Sequence, residues 1–228
     1  MSAPPAVLVV DTASPALFTA TAADSGVHTG IVTDAHGLPY LPRHRIAARL
    51  REGAVRAVRS EPGTNLGTAA RDLLGTTNGG HEEHRLLRIG HARLAHPVRA
   101  AVAWAMAQRS ASHQREALAR AVTDTYTTEE SGTEVDAHGA PVPGRLRTNQ
   151  ALRPRLRLVA ELGWAAPPDA ALLRCLARTA LATTAAGLRV TRGRGRIDVR
   201  LADPAGERDP HDYTVALAEL DGPEGGRA

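Results

Sequence analysis

Residues 152–162, LRPRLRLVAEL, alternate apolar and polar side chains along their length. Leu152, Leu156, Leu158, Ala160 and Leu162 face one way, and Arg153, Arg155, Arg157 and Glu161 the other. A period of two with one apolar face describes a half-buried strand, so the chain must build a sheet that other elements cover on one side. Pro154 places this strand at an edge or marks its beginning.

The remaining elements follow from the same kind of reading. AVLVV at 6–10 is a short buried strand, and Asp34 to Gly37 is a turn before Pro39-Tyr40-Leu41-Pro42. At about 100° per residue, 43–59 is an amphipathic helix. Ile46, Ala47, Leu50, Ala54, Ala57 and Val58 form its apolar face; Arg45, Arg49, Glu52, Arg56 and Arg59 form its polar face. Residues 60–84 are rich in Gly, Thr and Asn and are expected as loop, followed by a strand at LLRIGHARL. The stretch 97–122 is expected as helix with a break near 110–112, and 125–144 as an exposed excursion or hairpin.

Pro167-Pro168-Asp169 starts a further helix, which Gly187 is expected to end. Ile197, Val199 and Leu201 are the inward set of a strand, YTVALAEL near the C-terminus is expected as a last strand, and 222–228 as a frayed tail. Strand, helix, insertion, strand, helix, strand, without repeated strand-helix units, predicts an α+β fold. The expected form is a ferredoxin-like, RRM-like core with helices on one face of an antiparallel sheet, in a single domain spanning 1–228 with insertions between 60 and 150.

Composition limits the function classes. Lys is absent, so all 28 basic residues are Arg, and the formal net charge is +4. That balance permits a nucleic-acid partner without requiring one. The single Cys175 excludes an internal disulfide framework, and no window approaches the run of about 18 apolar residues that spans a membrane. The N-terminus lacks signal-peptide features. A cytoplasmic protein with no membrane partner and no cofactor is expected.

Where the arginines fall matters more than how many there are. In VTRGRGRIDVRL (190–201), glycines let the backbone approach a phosphate and expose N–H groups, and arginines offer bidentate charge. An ordinary hairpin turn uses the same glycines. The arginines of 43–59 can grip phosphates or line a solvated helix face. Arg153, Arg155 and Arg157, read as one side of a strand, repel one another unless an anion lies across them or the face is simply wet. Neither this strand nor 196–201 carries an aromatic residue, so base stacking is not expected.

Other residue groups have a bland reading. His81-Glu82-Glu83-His84 sits in a Gly-rich loop with its histidines three apart, unlike a zinc-protease helix, so no metal site is assigned. Ser110, Ser112 and His113 lack a nucleophile-elbow context. Trp104 and Trp164 are expected in the core or at an interface.

Three segments in order, DAHGLPYLPRHRIAARLRE, RLRTNQALRPRLRLVAEL and GLRVTRGRGRIDVRL, resemble the RAMP superfamily, the RNA-binding subunits of CRISPR effector complexes. They reach across most of residues 1–201. The resemblance implies a guide-RNA-binding subunit of a type III-like antiviral ribonucleoprotein. Its partners would be guide RNA and other subunits, including copies of itself. It also implies that RNA phosphates rest on Arg43, His44, Arg45, Arg49, Arg56 and Arg59. The same holds for Arg153, Arg155 and Arg157, and for the loop Arg192, Gly193, Arg194, Gly195 and Arg196.

The excursion near 125–144 corresponds to a hairpin that, in the family, wedges between guide nucleotides. Arg43-His44-Arg45 stands where members often have Gly-Ser-Ser. Target-cutting members carry an acidic residue before the Pro-aromatic segment; that place falls near His28, between Asp24 and Asp34. Some relatives that process guide RNA use a histidine there. The candidates for catalysis are therefore Asp24, His28, Asp34 and His44, with no catalytic set assigned. An endoribonuclease and a protein-interaction module without nucleic acid remain the alternatives.

Overall fold

The computed structural model describes residues 3–21, 29–75, 85–133, 138, 140, 142, 147–188 and 190–220. At the centre of its main sheet is β1 (Val7–Thr12), paired antiparallel with β9 (Arg157–Trp164) on one side and β10 (Ile197–Ala202) on the other. Leu8 lies opposite Ala160 and Leu201, and Val10 opposite Leu158 and Val199. All six are buried, because alternate side chains share one face of a pleated sheet. The short strands β5 (Leu87–Ile89) and β6 (Ala92–Arg93) pair antiparallel with β9, and β4 (Tyr40–Leu41) extends the sheet beyond β6.

Helix α1 (Arg43–Ser60) follows β4, and α5 (Ala170–Ala182) joins β9 to β10. Their apolar faces, Ile46, Leu50 and Ala54 from α1 with Leu176, Ala177 and Ala180 from α5, share one core with the inward residues of the sheet. Counting the middle strands β5 and β6 as one, the core strands stand last, first, third, second across the sheet. This is the α+β, antiparallel, ferredoxin-like arrangement that the sequence predicts. The expected apolar face of α1 is the buried one, with Gly53 added to it and Val58 partly buried.

Several expectations are corrected. The 60–84 stretch is not all loop: Leu66, Ala69, Leu73 and Leu74 recur at helical spacing and bury as α2 (Leu66–Leu74). YTVALAEL is not a strand. Asp209 caps the amide of His211, Pro210 opens the first turn, and α6 (Pro210–Ala218) buries Tyr213, Thr214, Leu217 and Ala218. The Thr214 hydroxyl also accepts from the Leu201 N–H at 2.8 Å, which covers the free edge of β10.

LRPRLRLVAEL is not one strand either. Pro154 cannot continue a ladder, so β8 (Arg147–Leu152) ends before it, Arg155 turns the chain with φ 65°, and β9 begins at Arg157. LLRIGHARL divides at Gly90-His91 into β5 and β6. The long helical stretch does break where expected, into α3 (His96–Ala107) and α4 (Ser112–Tyr126). Helix α5 stops at Ala182, five residues before Gly187.

The expected excursion is a hairpin arm: β7 (Thr127–Gly132) runs antiparallel to β8 from Thr127 opposite Leu152 to Gly132 opposite Arg147. With β2 (Thr19–Thr21) and β3 (Thr29–Ile31) it makes a second sheet in the order β2-β3-β8-β7. Trp104 is 68 % exposed and so is not a core residue. Trp164 is partly buried, and its indole N–H donates to the Pro5 carbonyl at 2.9 Å. No described helix is long and apolar enough to cross a membrane.

Candidate nucleic-acid interface

Arg43 and Arg45, with His44 between them, occupy the first turn of α1, where no acidic residue offsets the positive end of the helix dipole. Pro42 leaves the helix without a side-chain cap. Instead the Arg43 N–H donates to Nδ1 of His91, 3.2 Å away on the β5–β6 connection. The His91 ring stands edge-on to Tyr40, with centroids 5.2 Å apart, and the Arg93 guanidinium lies 5.9 Å from the Tyr40 ring centre. Burial, then Arg93, Arg43 and His44, hold the His91 imidazole below its ordinary value. His91 and Arg93 escape the sequence reading, because no motif links them to a turn about 50 residues earlier.

His44 belongs to the walls of two neighbouring cavities. One, of about 300 Å³, runs between α1 and the segment leading into the glycine loop, with His44, Arg45, Arg49, Phe18, Gly187 and Leu188 among its walls. The other, of about 220 Å³, is lined by Arg43, His44, Ala47, Arg51, Arg85 and Ile89, without a carboxylate. The expected arginine stripe is therefore divided. Arg45 and Arg49 face the first groove, although Arg49 also reaches Glu52 at 2.8 Å. Arg56 donates to the Ala182 carbonyl at 2.8 Å, fastening the end of α5. Arg59 lines a separate cleft between α1 and α2.

The glycine loop is a tight structure in its own right. Val190–Arg192 form a single 3-10 turn, and Gly193 and Gly195 adopt φ 75° and 66°, the left-handed region that glycine tolerates. Gly195 lies directly against the Ala186 carbonyl. The expectation of free loop amides is corrected here: Gly193 donates to Val190, Gly195 to Pro15 and Arg196 to the Ser14 hydroxyl. These three amides are therefore already committed within the fold. Arg194 is paired with Glu130 of β7, and Arg196 is exposed.

The other candidates lie elsewhere. Arg153 donates to the Thr127 carbonyl at 2.7 Å, pinning the β8–β9 turn to β7, and Arg155 sits exposed at that turn. Arg157 is on the open face of the main sheet, where both its Nε and Nη2 reach Asp11, at 2.8 and 2.9 Å. Arg200 reaches the same carboxylate at 3.1 Å. The open face therefore carries a largely self-neutralised network and, as the sequence predicts, no aromatic on its outward central positions.

Asp34 accepts from the amides of His36 and Leu38 and shapes the turn before β4. Asp24, His28 and the His81 to His84 run lie outside the described residues. Cys175 is buried, and burial pushes its thiol up to about 11, which removes it as a nucleophile.

No family model matches this sequence, and no curated protein matches it. Solved structures do. A chain of the cryo-EM structure of the Type III-B Cmr-beta bound to cognate target RNA superimposes with a TM-score of 0.61 at 10 % identity. It covers 88 % of this chain and 98 % of its own. A chain of the apo-state Type III-B Cmr-beta gives 0.65 at the same identity and coverage. The fold is shared. At that identity the likeness speaks for architecture, and the residues above have to carry the chemistry.

Proposed function

We propose that this chain is a guide-RNA-binding subunit of a type III CRISPR effector complex, holding the RNA by its backbone. One observation carries the reading: a groove that joins His44, Arg45 and Arg49 at the unneutralised N-terminus of α1 to the segment entering the glycine loop. Consecutive phosphates are spaced along a strand, and a cationic groove leading into a loop of arginines follows such a path. Arg43, Arg194 and Arg196 extend the path at its two ends. The fold it shares with chains of Cmr-beta, one of them in a complex determined with target RNA, agrees with that assignment.

In this reading sequence discrimination belongs to base pairing, because the protein offers charge rather than stacking platforms. Arg157 drops out, since Asp11 already holds its guanidinium on both nitrogens. Arg153 and Arg56 serve the fold through backbone carbonyls. Of the candidates for the endoribonuclease alternative, Asp34 shapes a turn, His44 stands in the walls of both cavities, and Asp24 and His28 lie outside the described residues.

The test is titration of the purified protein into a labelled single-stranded RNA of about 30 nucleotides at several salt concentrations, with end-point samples run on a denaturing gel. Binding that weakens steeply with salt while the RNA stays whole is the expected result. Absence of binding contradicts the proposal, and shortened RNA transfers it to the ribonuclease alternative.

A further inference from the structure

Arg194 of the glycine loop is ion-paired with Glu130, a residue on the arm formed by β7 and β8. The Glu130 side chain is 13 % exposed and that of Arg194 37 %, so the acid lies beneath the loop and the base nearer its rim. Carboxylate and phosphate present similar paired oxygens to a guanidinium. Glu130 thus occupies the position on Arg194 that a backbone phosphate would take.

A second observation lies directly across the ladder. Asn149 on β8 is the register partner of Glu130, so the two side chains share one face of the sheet. Asn149 is 6 % exposed, and its Nδ2 makes no hydrogen bond. A buried amide N–H left without an acceptor is unfavourable, and here the side chain opposite on β7 is a carboxylate paired with Arg194 instead. The loop backbone is fastened independently, through Gly195 to Pro15 and Arg196 to Ser14, so the Arg194 side chain can change partner without the loop unfolding.

We propose that Glu130 is an internal stand-in for an RNA phosphate on Arg194, and that on RNA binding its carboxylate turns to accept the Nδ2–H of Asn149. The inference rests on the RNA-binding reading above. Arg194, Glu130 and Asn149 each then have a partner in the bound state, whereas the free state leaves the Asn149 Nδ2 unmatched. The exchange raises the threshold for lone anions, which must displace Glu130 at a single point. A polyanion that also engages Arg45 and Arg49 overcomes it. Glu130 and Asn149 are positioning residues in this scheme, and Arg194 is the contact.

The experiment uses the full chain and a labelled single-stranded RNA of about 30 nucleotides, with affinity and thermal midpoint measured for each variant. Glu130→Gln is expected to bind about fivefold tighter than wild type, and the gain is expected to vanish when Arg194→Ala is added. Asn149→Leu is expected to melt no lower than wild type, since it removes an unmatched buried amide, yet to bind RNA about threefold more weakly. A Glu130→Gln protein that binds equally or less tightly, or a gain that persists without Arg194, overturns the proposal. If Glu130→Gln does not fold, Asn149→Leu decides alone: unchanged RNA affinity overturns it. Failure of the wild-type chain itself to bind RNA overturns the RNA-binding reading, and this proposal with it.

Discussion

Gly53 of α1 and Thr183, the residue that closes α5, touch so closely that a Cβ on Gly53 would overlap the Thr183 hydroxyl. It would also stand 2.7 Å from the Thr179 carbonyl oxygen, which the same hydroxyl uses as acceptor. In an exposed helix, replacing Gly by Ala stabilises by about 1 kcal/mol. Here the sign is expected to reverse. Gly53→Ala must push α1 away from α5 and is expected to lose about 2 kcal/mol, as overpacked contacts do, read as a lower urea midpoint at unchanged slope.

The two loop glycines separate in the same way. Both have positive φ, but nothing lies within 4 Å of a Cβ at Gly193, whereas one at Gly195 would overlap the Ala186 carbonyl. Gly193→Ala is expected to cost about 1 kcal/mol, the left-handed penalty alone. Gly195→Ala is expected to cost clearly more and to weaken RNA binding as the loop shifts. Equal melting temperatures for the two variants would contradict this account of the loop.

Much of this architecture is legible in the sequence. The alternation of Ile197, Val199 and Leu201 and the 3.6-residue period of 43–59 report directly which face is covered, and both faces are the buried ones, Val58 only in part. The misreadings have physical causes. YTVALAEL suits either period, and its assignment is decided by the Asp209 cap and Pro210 just upstream. The arginines of 152–162 share a face only if Pro154 is passed over.

At the site, the sequence marks Arg45, Arg49 and Arg194 but cannot say which charges are already answered. Asp11 lies 146 positions from Arg157 along the chain, and Glu130 reaches Arg194 from another sheet. Pairings of that range are products of the fold, with no local signature.

Asp11 holds Arg157 and Arg200 together on the open sheet face. Asp11→Ala leaves both guanidinium groups adjacent without their carboxylate. The expected loss of stability is about 1 kcal/mol, given how exposed Arg157 is, checked by chemical denaturation. The variant is also expected to gain weak, salt-sensitive RNA binding on a face that the wild type keeps neutral.

His91 is expected to make stability depend on pH. Burial and its cationic neighbours lower its folded value below the ordinary 6.5. Well above about pH 6.5 the ring is neutral in both states and adds no pH dependence. As pH falls through that value the unfolded chain takes up the proton first, so unfolding is favoured progressively until the folded value is passed. Wild type is expected to lose more stability than His91→Gln between pH 7.5 and 5.5. Equal losses would show that the ring is not held neutral by its surroundings.

The central claim, that the groove between α1 and the glycine loop holds an RNA backbone, is tested most directly by the salt dependence of binding in an Arg45→Ala, Arg49→Ala double variant. On a single strand each phosphate contact contributes about 0.7 to the slope of log affinity against log salt. The account expects weaker binding to every RNA sequence tried, with the slope shallower than wild type by about 1.4. Wild-type affinity and slope in the double variant would contradict it.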